Sequence, residues 1–273
     1  MLEMLKRALR RIGLYDTLRR SPLYGLYLRL FYPKLASQPR RELRFYRQAL
    51  PALKPGDLIF DVGANDGFKT AIFLKLGARV VCVEPDRASV SVLRRRFSNK
   101  PVTIVPKAAS DDVRTVQFHV AQPGSALNTL SDKWVEALQD SSTSRFGPDV
   151  RFEQSYDVQT VTVEQLMADY GRPSFLKIDV EGHELAVLRG LRQAVPLVSF
   201  ELNLPEFRAE GLECVDILEH ISSRTEFNHV IEDSFESRCW LSASEFRRWL
   251  EETDLRYLEV YARTSAVEMS SDG

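Results

Sequence analysis

The stretch from Leu58 to Gly67, Leu-Ile-Phe-Asp-Val-Gly-Ala-Asn-Asp-Gly, constrains the fold of this chain more than any other. It has the pattern of a buried strand that leads through glycines into a helix beginning at about Phe68. Gly63 and Gly67 lack Cβ atoms, so the backbone can bend sharply and approach a ligand closely. Asn65 belongs to one of the few non-glycine types that tolerate a positive φ. We expect the N-terminus of the following helix, with its free N–H groups, to face a small ligand.

Two acidic residues narrow the class of this ligand. Asp61 ends the first predicted strand, where its charge would repel phosphate oxygens but would suit a cationic group or hydroxyls. Glu84 ends the second strand, about twenty residues past the glycine turn, where a carboxylate can accept both ribose hydroxyls. The turn G-x-N-x-G lacks the G-x-G-x-x-G pattern of a dinucleotide site, and the sequence contains no P-loop motif. Adenosine with a positively charged amino-acid group fits both carboxylates, and S-adenosylmethionine has this description.

Strand and helix patterns alternate after the glycine turn, which predicts an α/β fold with a parallel sheet and helices on both faces. Strands are predicted near 58–62, 79–83, 102–105, 115–120, 157–162, 174–178, 196–201, 227–231 and 256–261. Helices are predicted near 68–77, 87–98, 132–138, 183–192, 212–223 and 243–252. Ligands of doubly wound sheets bind outside the carboxyl ends of the strands. Four predicted strand ends carry carboxylates, namely Asp61, Glu84, Asp179 and Glu201. One such residue is more often a helix cap, but four at one edge indicate a site.

Several motifs of the chain resemble the FkbM family of S-adenosylmethionine-dependent methyltransferases and occur in the family's order between about Leu58 and Glu201. They are Asp61-Val62-Gly63-Ala64-Asn65-Asp66-Gly67, Val83-Glu84-Pro85, Lys107-Ala108-Ala109-Ser110-Asp111, Thr160-Val161-Thr162-Val163-Glu164-Gln165-Leu166, Leu176-Lys177-Ile178-Asp179-Val180-Glu181-Gly182-His183-Glu184, Leu188-Arg189-Gly190 and Pro196-Leu197-Val198-Ser199-Phe200-Glu201. Two departures are visible. Lys107 stands where an Asn is common, and Val163-Glu164 replaces the usual Leu-Asp.

The resemblance implies a Rossmann-like, doubly wound, mostly parallel seven-stranded sheet of the class I methyltransferase type, with S-adenosylmethionine as cofactor. A closing pair of strands would include one antiparallel strand. The residues expected to bind the cofactor are Asp61, Gly63, Asn65, Gly67, Glu84, Asp111 and Asp179. Asp61 and the glycine turn would hold the methionine part, and Glu84 the ribose. Asp111 would lie near the adenine, although a plain turn role for it stays open.

Asp179, Glu181 and His183 form a second cluster of polar side chains within five residues. Three oxygen or nitrogen ligands so close in sequence raise the question of a divalent cation. The residues pass from a strand through Gly182 into a helix, however, and need not converge, so we expect no required metal. A helix-capping role for Glu181 or Glu184 is the alternative.

A hydroxyl acceptor would benefit from a general base, and His183 is the first candidate because an unperturbed histidine pKa lies near neutrality. Asp179, Glu181 and Glu201 are the competing candidates for this catalytic role. The other histidines fall in the middle of predicted helices or strands and are expected to be structural. They are His119, His220 and His229.

The methyl acceptor is only narrowly constrained by the sequence. The resemblance implies O-methylation of a hydroxyl on a sugar, glycan, glycolipid or secondary metabolite. The segment 121–156 is too long for a plain connection and is predicted to be a substrate loop or lid. Its aromatic residues would stack on the acceptor or simply anchor the loop; they are Trp134, Phe146, Phe152 and Tyr156. Two rival hypotheses are an NAD-dependent oxidoreductase and an inactive cofactor-binding module that serves a partner enzyme.

The net charge of −1 hides an uneven distribution. Residues 1–50 contain twelve Lys or Arg and three Asp or Glu, and their apolar residues recur at helical spacing. We expect a basic helical N-terminal arm over 1–50, a methyltransferase domain over 51–264 and a flexible tail over 265–273. The arm would pack on the acidic domain or on a second subunit of a homo-oligomer. The alternative is peripheral contact with a membrane or a lipid-linked substrate.

Three scattered cysteines, Cys82, Cys214 and Cys239, predict reduced thiols rather than a disulfide framework or zinc site. No apolar run approaches the roughly 20 residues that span a bilayer, and no signal peptide is evident. These features predict a cytoplasmic protein, with the inner face of the membrane as a further site of action. The acidic catalytic part and the lack of a known module argue against nucleic acid as a partner.

Overall fold

The structure, a computed structural model, describes residues 33–140, 150–231, 233–237 and 239–264. The chain divides into two compact units, residues 1–49 and residues 50–273. In the first unit the described residues form one helix, α1 (Pro33–Ala49). Most of the predicted N-terminal arm and all of the predicted tail lie outside the described residues, so their proposed roles stay predictions. No described helix combines the length and the apolar character that a membrane crossing needs.

The second unit alternates strands and helices along the chain. In order, its elements are β1 (Leu58–Val62), α2 (Phe68–Lys75), β2 (Arg79–Val83), α3 (Arg87–Arg96), β3 (Val102–Val105), β4 (Ala108–Ala109), β5 (Thr115–Val120), α4 (Asp132–Gln139), β6 (Gln154–Val161), α5 (Val163–Tyr170), β7 (Phe175–Ile178), α6 (Glu184–Arg189), β8 (Leu197–Asn203), α7 (Arg208–Ile221), β9 (Thr225–Ile231), β10 (Ser234–Phe235), β11 (Leu241–Ser242), α8 (Ala243–Glu252) and β12 (Tyr257–Thr264).

The main sheet has the strand order β10-β9-β12-β8-β7-β1-β2-β3, with β11 paired to β9. Strands β3, β2, β1, β7 and β8 are parallel to one another, whereas β12 is antiparallel to both β8 and β9. Seven strands of four or more residues therefore make a mostly parallel sheet with one reversed strand, which confirms the predicted fold class. The chain order reverses between β1 and β7, so the topological switch point lies there.

The central strands are buried over their whole length, as expected for a parallel sheet with both faces covered. A polar pair nevertheless sits inside them, because Asp61 of β1 lies opposite Lys177 of β7 in the strand register. Both side chains are almost inaccessible, with exposures of 0% and 1%. A buried charged pair of this kind needs a functional or structural reason.

One helix, α5, was not predicted. It begins within the β-branched run Val161-Thr162-Val163, which has the local pattern of a strand. The Thr162 side chain instead accepts a hydrogen bond from the backbone N–H of Gln165 and caps the helix. A side-chain cap therefore overrode the strand pattern at this boundary.

A second, three-stranded sheet has the order β4-β6-β5. β5 and β6 pair in antiparallel fashion and bracket the predicted loop 121–156 at its base. The loop is shorter than predicted, because its last residues already belong to β6, and it contains α4. Trp134 of α4 is 2% exposed and packs edge-on against Phe207, so it anchors the loop and is not available for stacking on an acceptor.

The other described aromatic residues of that loop also make anchoring contacts. Phe152 packs against the main core. Tyr156 packs edge-on against Phe118 and carries the guanidinium of Arg87 over its ring. Phe146 lies outside the described residues. We find anchoring contacts, not an open aromatic platform, for the described members of the set.

Candidate functional site

A cavity of about 260 Å³ opens at the carboxyl ends of β1, β2 and β7, beside the topological switch point. Residues of the segment that follows β5 complete its wall. The ionisable side chains that line it are Glu84, Asp179, Glu181, His183 and Glu201. Predicted site residues Gly63 and Asn65 also line it, whereas Asp61, Gly67 and Asp111 do not.

The glycine turn has the predicted backbone geometry. Asn65 has a φ of 46°, and Gly63 and Gly67 have φ values of 80° and 76°. However, the atoms that leave no room for a Cβ at these two glycines belong to the protein itself and not to a ligand. A Cβ on Gly63 would lie 1.7 Å from the backbone oxygen of Asp179, and one on Gly67 would lie 2.4 Å from the Phe97 ring. These glycines thus let β1 meet β7 and α2 meet α3.

Asp61 lies behind the cavity instead of on its wall. Its carboxylate is 0% exposed, accepts a hydrogen bond of 2.5 Å from the Thr70 hydroxyl, and has a second oxygen without a hydrogen-bond partner among the described residues. Burial raises its pKa, against the opposing charge of Lys177. The predicted direct contact with the methionine part therefore has no support in the structure, because no oxygen of Asp61 reaches the cavity.

Glu84 stands where the sequence predicts it, directly after β2 on the cavity wall. Its two oxygens accept backbone N–H groups of Asn65 at 2.7 Å and Asp86 at 2.8 Å. Burial raises its pKa to about 7, although both hydrogen bonds favour the charged form. A carboxylate has about four acceptor positions, so Glu84 can take two hydroxyl donors in addition to these N–H groups.

Three carboxylates converge at the other end of the cavity. Asp179, Glu181 and Glu201 each offer an oxygen, and these oxygens lie within 4.8 Å of one another. Burial raises the pKa of Glu181 well above its usual range and that of Glu201 to about 8, and in each case the charge of Asp179 adds to the effect. The spacing of these oxygens would suit a cation. The prediction that Asp179, Glu181 and His183 need not converge was therefore wrong for the two carboxylates.

Lys177 already supplies a positive charge to this cluster. Its ammonium group donates a hydrogen bond of 2.6 Å to Asp179. Burial by itself lowers the pKa of Lys177, but the negative charges of four surrounding carboxylates raise it by a larger amount. The pKa therefore lies above its usual value and the ammonium group stays charged. The four carboxylates belong to Asp179, Glu201, Asp61 and Glu259. Sequence reasoning assigned Lys177 no role, although a lysine inside the apolar strand Phe175-Leu176-Lys177-Ile178 was the available signal.

The loop after β7 is held in a strained conformation. Glu181 has a φ of 54°, which is uncommon for a non-glycine residue. Glu184 accepts the backbone N–H groups of Val180 at 3.0 Å and Gly182 at 3.3 Å. The Thr129 hydroxyl, from the segment after β5, donates a hydrogen bond of 2.7 Å to the backbone oxygen of Glu181. The start of α6 and the distant segment after β5 therefore both restrain the backbone of the loop that carries Glu181.

His183 points to a different group of residues. Its Nε2 lies 3.1 Å from the Ser110 hydroxyl oxygen, and that hydroxyl donates 2.9 Å to Asp111. Asp111 in turn forms an ion pair of 2.9 Å with Arg114. Burial lowers the pKa of His183 to about 4. The pKa of His183 therefore lies below that of an unperturbed histidine, since desolvation disfavours the imidazolium.

The other histidines have structural contacts. His119, in β5, lies 2.7 Å from Asp132, and His229, in β9, stacks on Trp249 with ring centroids 4.0 Å apart. His220 lies on the exposed side of α7. None of them lines the cavity described above.

The cavity fits S-adenosylmethionine better than a dinucleotide. Four of its lining residues carry carboxylates, and the described lining contains no Lys or Arg that could neutralise phosphates. Glu84 at one end suits the ribose hydroxyls, and the carboxylate cluster at the other end suits a cationic amino-acid group. The arrangement of donors and acceptors therefore matches both ends of that cofactor.

Known proteins share this sequence pattern. The family model described as "Methyltransferase FkbM domain" matches residues 61–257. The chain is 26% identical over 168 residues to the hexuronic acid methyltransferase AglP of Haloferax volcanii, covering 59% of this chain and 61% of that protein. It is 27% identical over 171 residues to the 2-O-methyltransferase NoeI of Sinorhizobium fredii, covering 60% of this chain and 69% of that protein.

Among solved structures, a TehB-like SAM-dependent methyltransferase from Corynebacterium glutamicum covers 90% of this chain at 10% identity, and 100% of that chain is matched. Its TM-score of 0.42 is too low to support a conclusion. The family match, in contrast, extends over most of the second unit and includes the whole glycine turn and the carboxylate cluster. The chain therefore belongs to the FkbM methyltransferase family, with S-adenosylmethionine as its cofactor.

Proposed function

We propose that this protein transfers a methyl group from S-adenosylmethionine to a hydroxyl group of a sugar or a sugar-containing acceptor. The observation that carries the proposal is the single cavity with Glu84 at one end and the Asp179, Glu181 and Glu201 cluster at the other. The name of AglP, a hexuronic acid methyltransferase, supports a saccharide acceptor for this chain, and the name of NoeI, a 2-O-methyltransferase, supports transfer to an oxygen atom.

Glu84 would hold the ribose hydroxyls, and Gly63 with the carboxylate cluster would hold the methionine part. When bound, the cofactor supplies a methyl group on a positively charged sulfur. The chain's own contribution is alignment and exclusion of water, which can account for much of the rate of a displacement reaction. Phe118 of β5 and Leu130 of the segment after it supply part of the apolar wall.

We assign the proton of the reacting hydroxyl to Nδ1 of His183. Asp111 can only accept hydrogen bonds when ionised, so the single proton of the Ser110 hydroxyl goes to it. Ser110 oxygen must then accept from Nε2–H of His183. This tautomer leaves a lone pair on Nδ1, which has no hydrogen-bond partner among the described residues.

A pKa of about 4 does not prevent this role for His183. A hydroxyl oxygen becomes a protonated ether as the methyl group arrives, and a protonated ether is a far stronger acid than an imidazolium. Neutral His183 is therefore basic enough to accept that proton. Burial raises the pKa of Glu181 and of Glu201, which makes the ionised form of either group less available as the proton acceptor than an ordinary carboxylate.

Calorimetry with S-adenosylhomocysteine and with NAD tests the cofactor assignment. We expect heat of binding with the first ligand and none with the second. Glu84→Gln should weaken S-adenosylhomocysteine binding by about tenfold or more, because hydrogen bonds to a charged group are lost. Glu136→Gln, an exposed carboxylate of α4, is the matched control and should bind normally. Binding of NAD alone would contradict the proposal.

The acceptor is tested with isotope-labelled S-adenosylmethionine and a panel of neutral and acidic saccharides. The expected product is a methyl ether on a sugar oxygen, located by mass spectrometry and NMR. Cofactor binding without methyl transfer to any member of the panel would contradict the saccharide acceptor. The same result would favour a binding module without activity.

A further inference from the structure

A second groove, of about 460 Å³, lies between α3 and β6, next to the cofactor cavity. The two share one lining residue, Pro85, which directly follows the ribose-binding candidate Glu84. The groove is lined by three cationic side chains, Arg87, Arg94 and Lys107. Its charge is thus the opposite of the carboxylate-lined cavity beside it.

One face of α3 forms a wall of this groove. Arg87, Ser91 and Arg94 are spaced by four and three residues, which places them on the same side of the helix. Lys107, after β3, comes from a different segment of the chain. Residues from separate elements therefore bring positive charge to one place.

Arg87 is held in position by Tyr156 of β6. Its guanidinium lies 4.4 Å from the centroid of the Tyr156 ring, and its backbone N–H donates 3.2 Å to the Tyr156 hydroxyl oxygen. Stacking leaves the N–H groups of the guanidinium edge available for a ligand. The groove thus contains a preorganised donor and not only mobile surface charges.

The three cations form no ion pair with a described residue. Asp157 is the acidic residue of the groove lining, and its carboxylate accepts a hydrogen bond from the Gln117 side chain. Like charges in one groove repel each other, and a bound anion would relieve that repulsion. Two arginines with a lysine are a common donor set for phosphate and carboxylate groups.

We propose that this groove binds an anionic group, phosphate or carboxylate, of a saccharide. Among the described residues, the lining of the cavity itself offers no Lys or Arg to such a group, so the anionic part of an acceptor would be held in the adjacent groove. That the anion belongs to the methyl acceptor rests on the proposed function. The groove as an anion site stands on the three cations alone.

The test uses the full chain and three probes, namely glucose 1-phosphate, glucuronate and glucose. Binding is measured by calorimetry and by NMR shifts at Arg and Lys side chains. We expect one or both anionic probes to bind and glucose not to bind at the same concentration. Arg94→Gln and Lys107→Asn should each weaken binding of the anionic probe by about fivefold or more. Arg95→Gln, an exposed arginine of α3 outside the groove, is the matched control and should stay within about twofold.

The two anionic probes distinguish a phosphate-bearing from a uronate-bearing saccharide. Equal binding of glucose, or an equal loss in Arg95→Gln, would overturn the inference, because binding would then not depend on the groove. If neither anionic probe bound to the unaltered protein, the inference would be overturned as well. S-adenosylhomocysteine binding is measured on the same samples. If the unaltered protein did not bind S-adenosylhomocysteine, that result would count against the proposed function and not against the anion site in the groove.

Discussion

At the scale of single residues, the contact that most constrains the site is between Gly63 and the backbone of Asp179. The residue that turns the chain at the cofactor also lets β1 and β7 approach at the switch point. Asp61, two residues earlier, is buried against Thr70 and the β7 side of the sheet. Nearby residues of one motif therefore serve different purposes, since Asp61 lies within β1 and Gly63 lies in the turn that follows it.

Gly63→Ala should lower the free energy of unfolding by about 3 kcal/mol or more, because the new methyl group would meet the Asp179 oxygen. Gly56→Ala is the matched control. Gly56 has a similar φ of 88° but open space around it, so backbone strain of about 1–2 kcal/mol is expected there. Urea unfolding of both variants gives the comparison. Equal losses would show that the contact with Asp179 does not matter.

The pH profile of kcat distinguishes the candidate bases. If His183 accepts the proton, the rate should be level from about pH 6 to about pH 8, because a pKa of about 4 keeps the imidazole neutral throughout. If Glu201 accepts it, the rate should rise with pH toward its pKa of about 8. His183→Gln should reduce kcat about a hundredfold. His220→Gln, on the exposed side of α7, should leave kcat unchanged.

At the scale of secondary-structure elements, the site depends on two segments far apart in sequence. The loop after β7 carries Asp179 and Glu181, and the segment after β5 carries Thr129. The hydrogen bond from Thr129 to Glu181 joins them across 52 positions. Thr129 also accepts the backbone N–H of Ser131 at 2.8 Å, just before α4 begins. The small β4-β6-β5 sheet and the segment that follows β5 therefore form part of the cavity wall.

Thr129→Val keeps the shape of the side chain and removes both hydrogen bonds. We expect a loss of about 1–2 kcal/mol in the free energy of unfolding and weaker S-adenosylhomocysteine binding, because the Glu181 loop loses a restraint. Thr103→Val, on the exposed side of β3, is the control and should change neither quantity. Unchanged cofactor binding in Thr129→Val would show that the loop keeps its conformation without this bond.

At the scale of the whole molecule, buried carboxylates set the response to pH. Burial raises the pKa of Glu84 and Glu184 to about 7 and that of Glu201 to about 8. In the unfolded chain these groups lose their protons near the ordinary value of 4.5. Between these limits the folded protein binds more protons than the unfolded chain, so its stability falls as pH rises.

Without cofactor, the protein should therefore melt at a lower temperature at about pH 8 than at about pH 5.5. Each buried carboxyl group is expected to contribute on the order of 1 kcal/mol, which corresponds to about 2–4 °C. Glu184→Gln should reduce the difference between the two melting temperatures, and Glu136→Gln should not. A higher melting temperature at about pH 8 would mean that these groups are ionised in the folded protein.

Much of the fold could be predicted because its signals are local. The bounds of β1, β2, β3, β5 and α8 agree with the predicted ones, since each has turn or cap residues at its ends. α5 was missed because the Thr162 cap lies inside a run of β-branched residues. The accessory sheet was missed because the pairing of β5 with β6 joins residues across the whole loop 121–153 and has no local signature.

The sequence by itself determined the turn at Gly63 to Gly67, the alternation of strands and helices, and the class of cofactor. Each follows from residue types within a few positions of one another. Only the tertiary structure decided that Asp61 is buried, that Lys177 stands among carboxylates, and that Ser110 meets His183 across 73 positions. These contacts depend on strand order and register. Those are set by the packing of the whole sheet and cannot be inferred from any single segment.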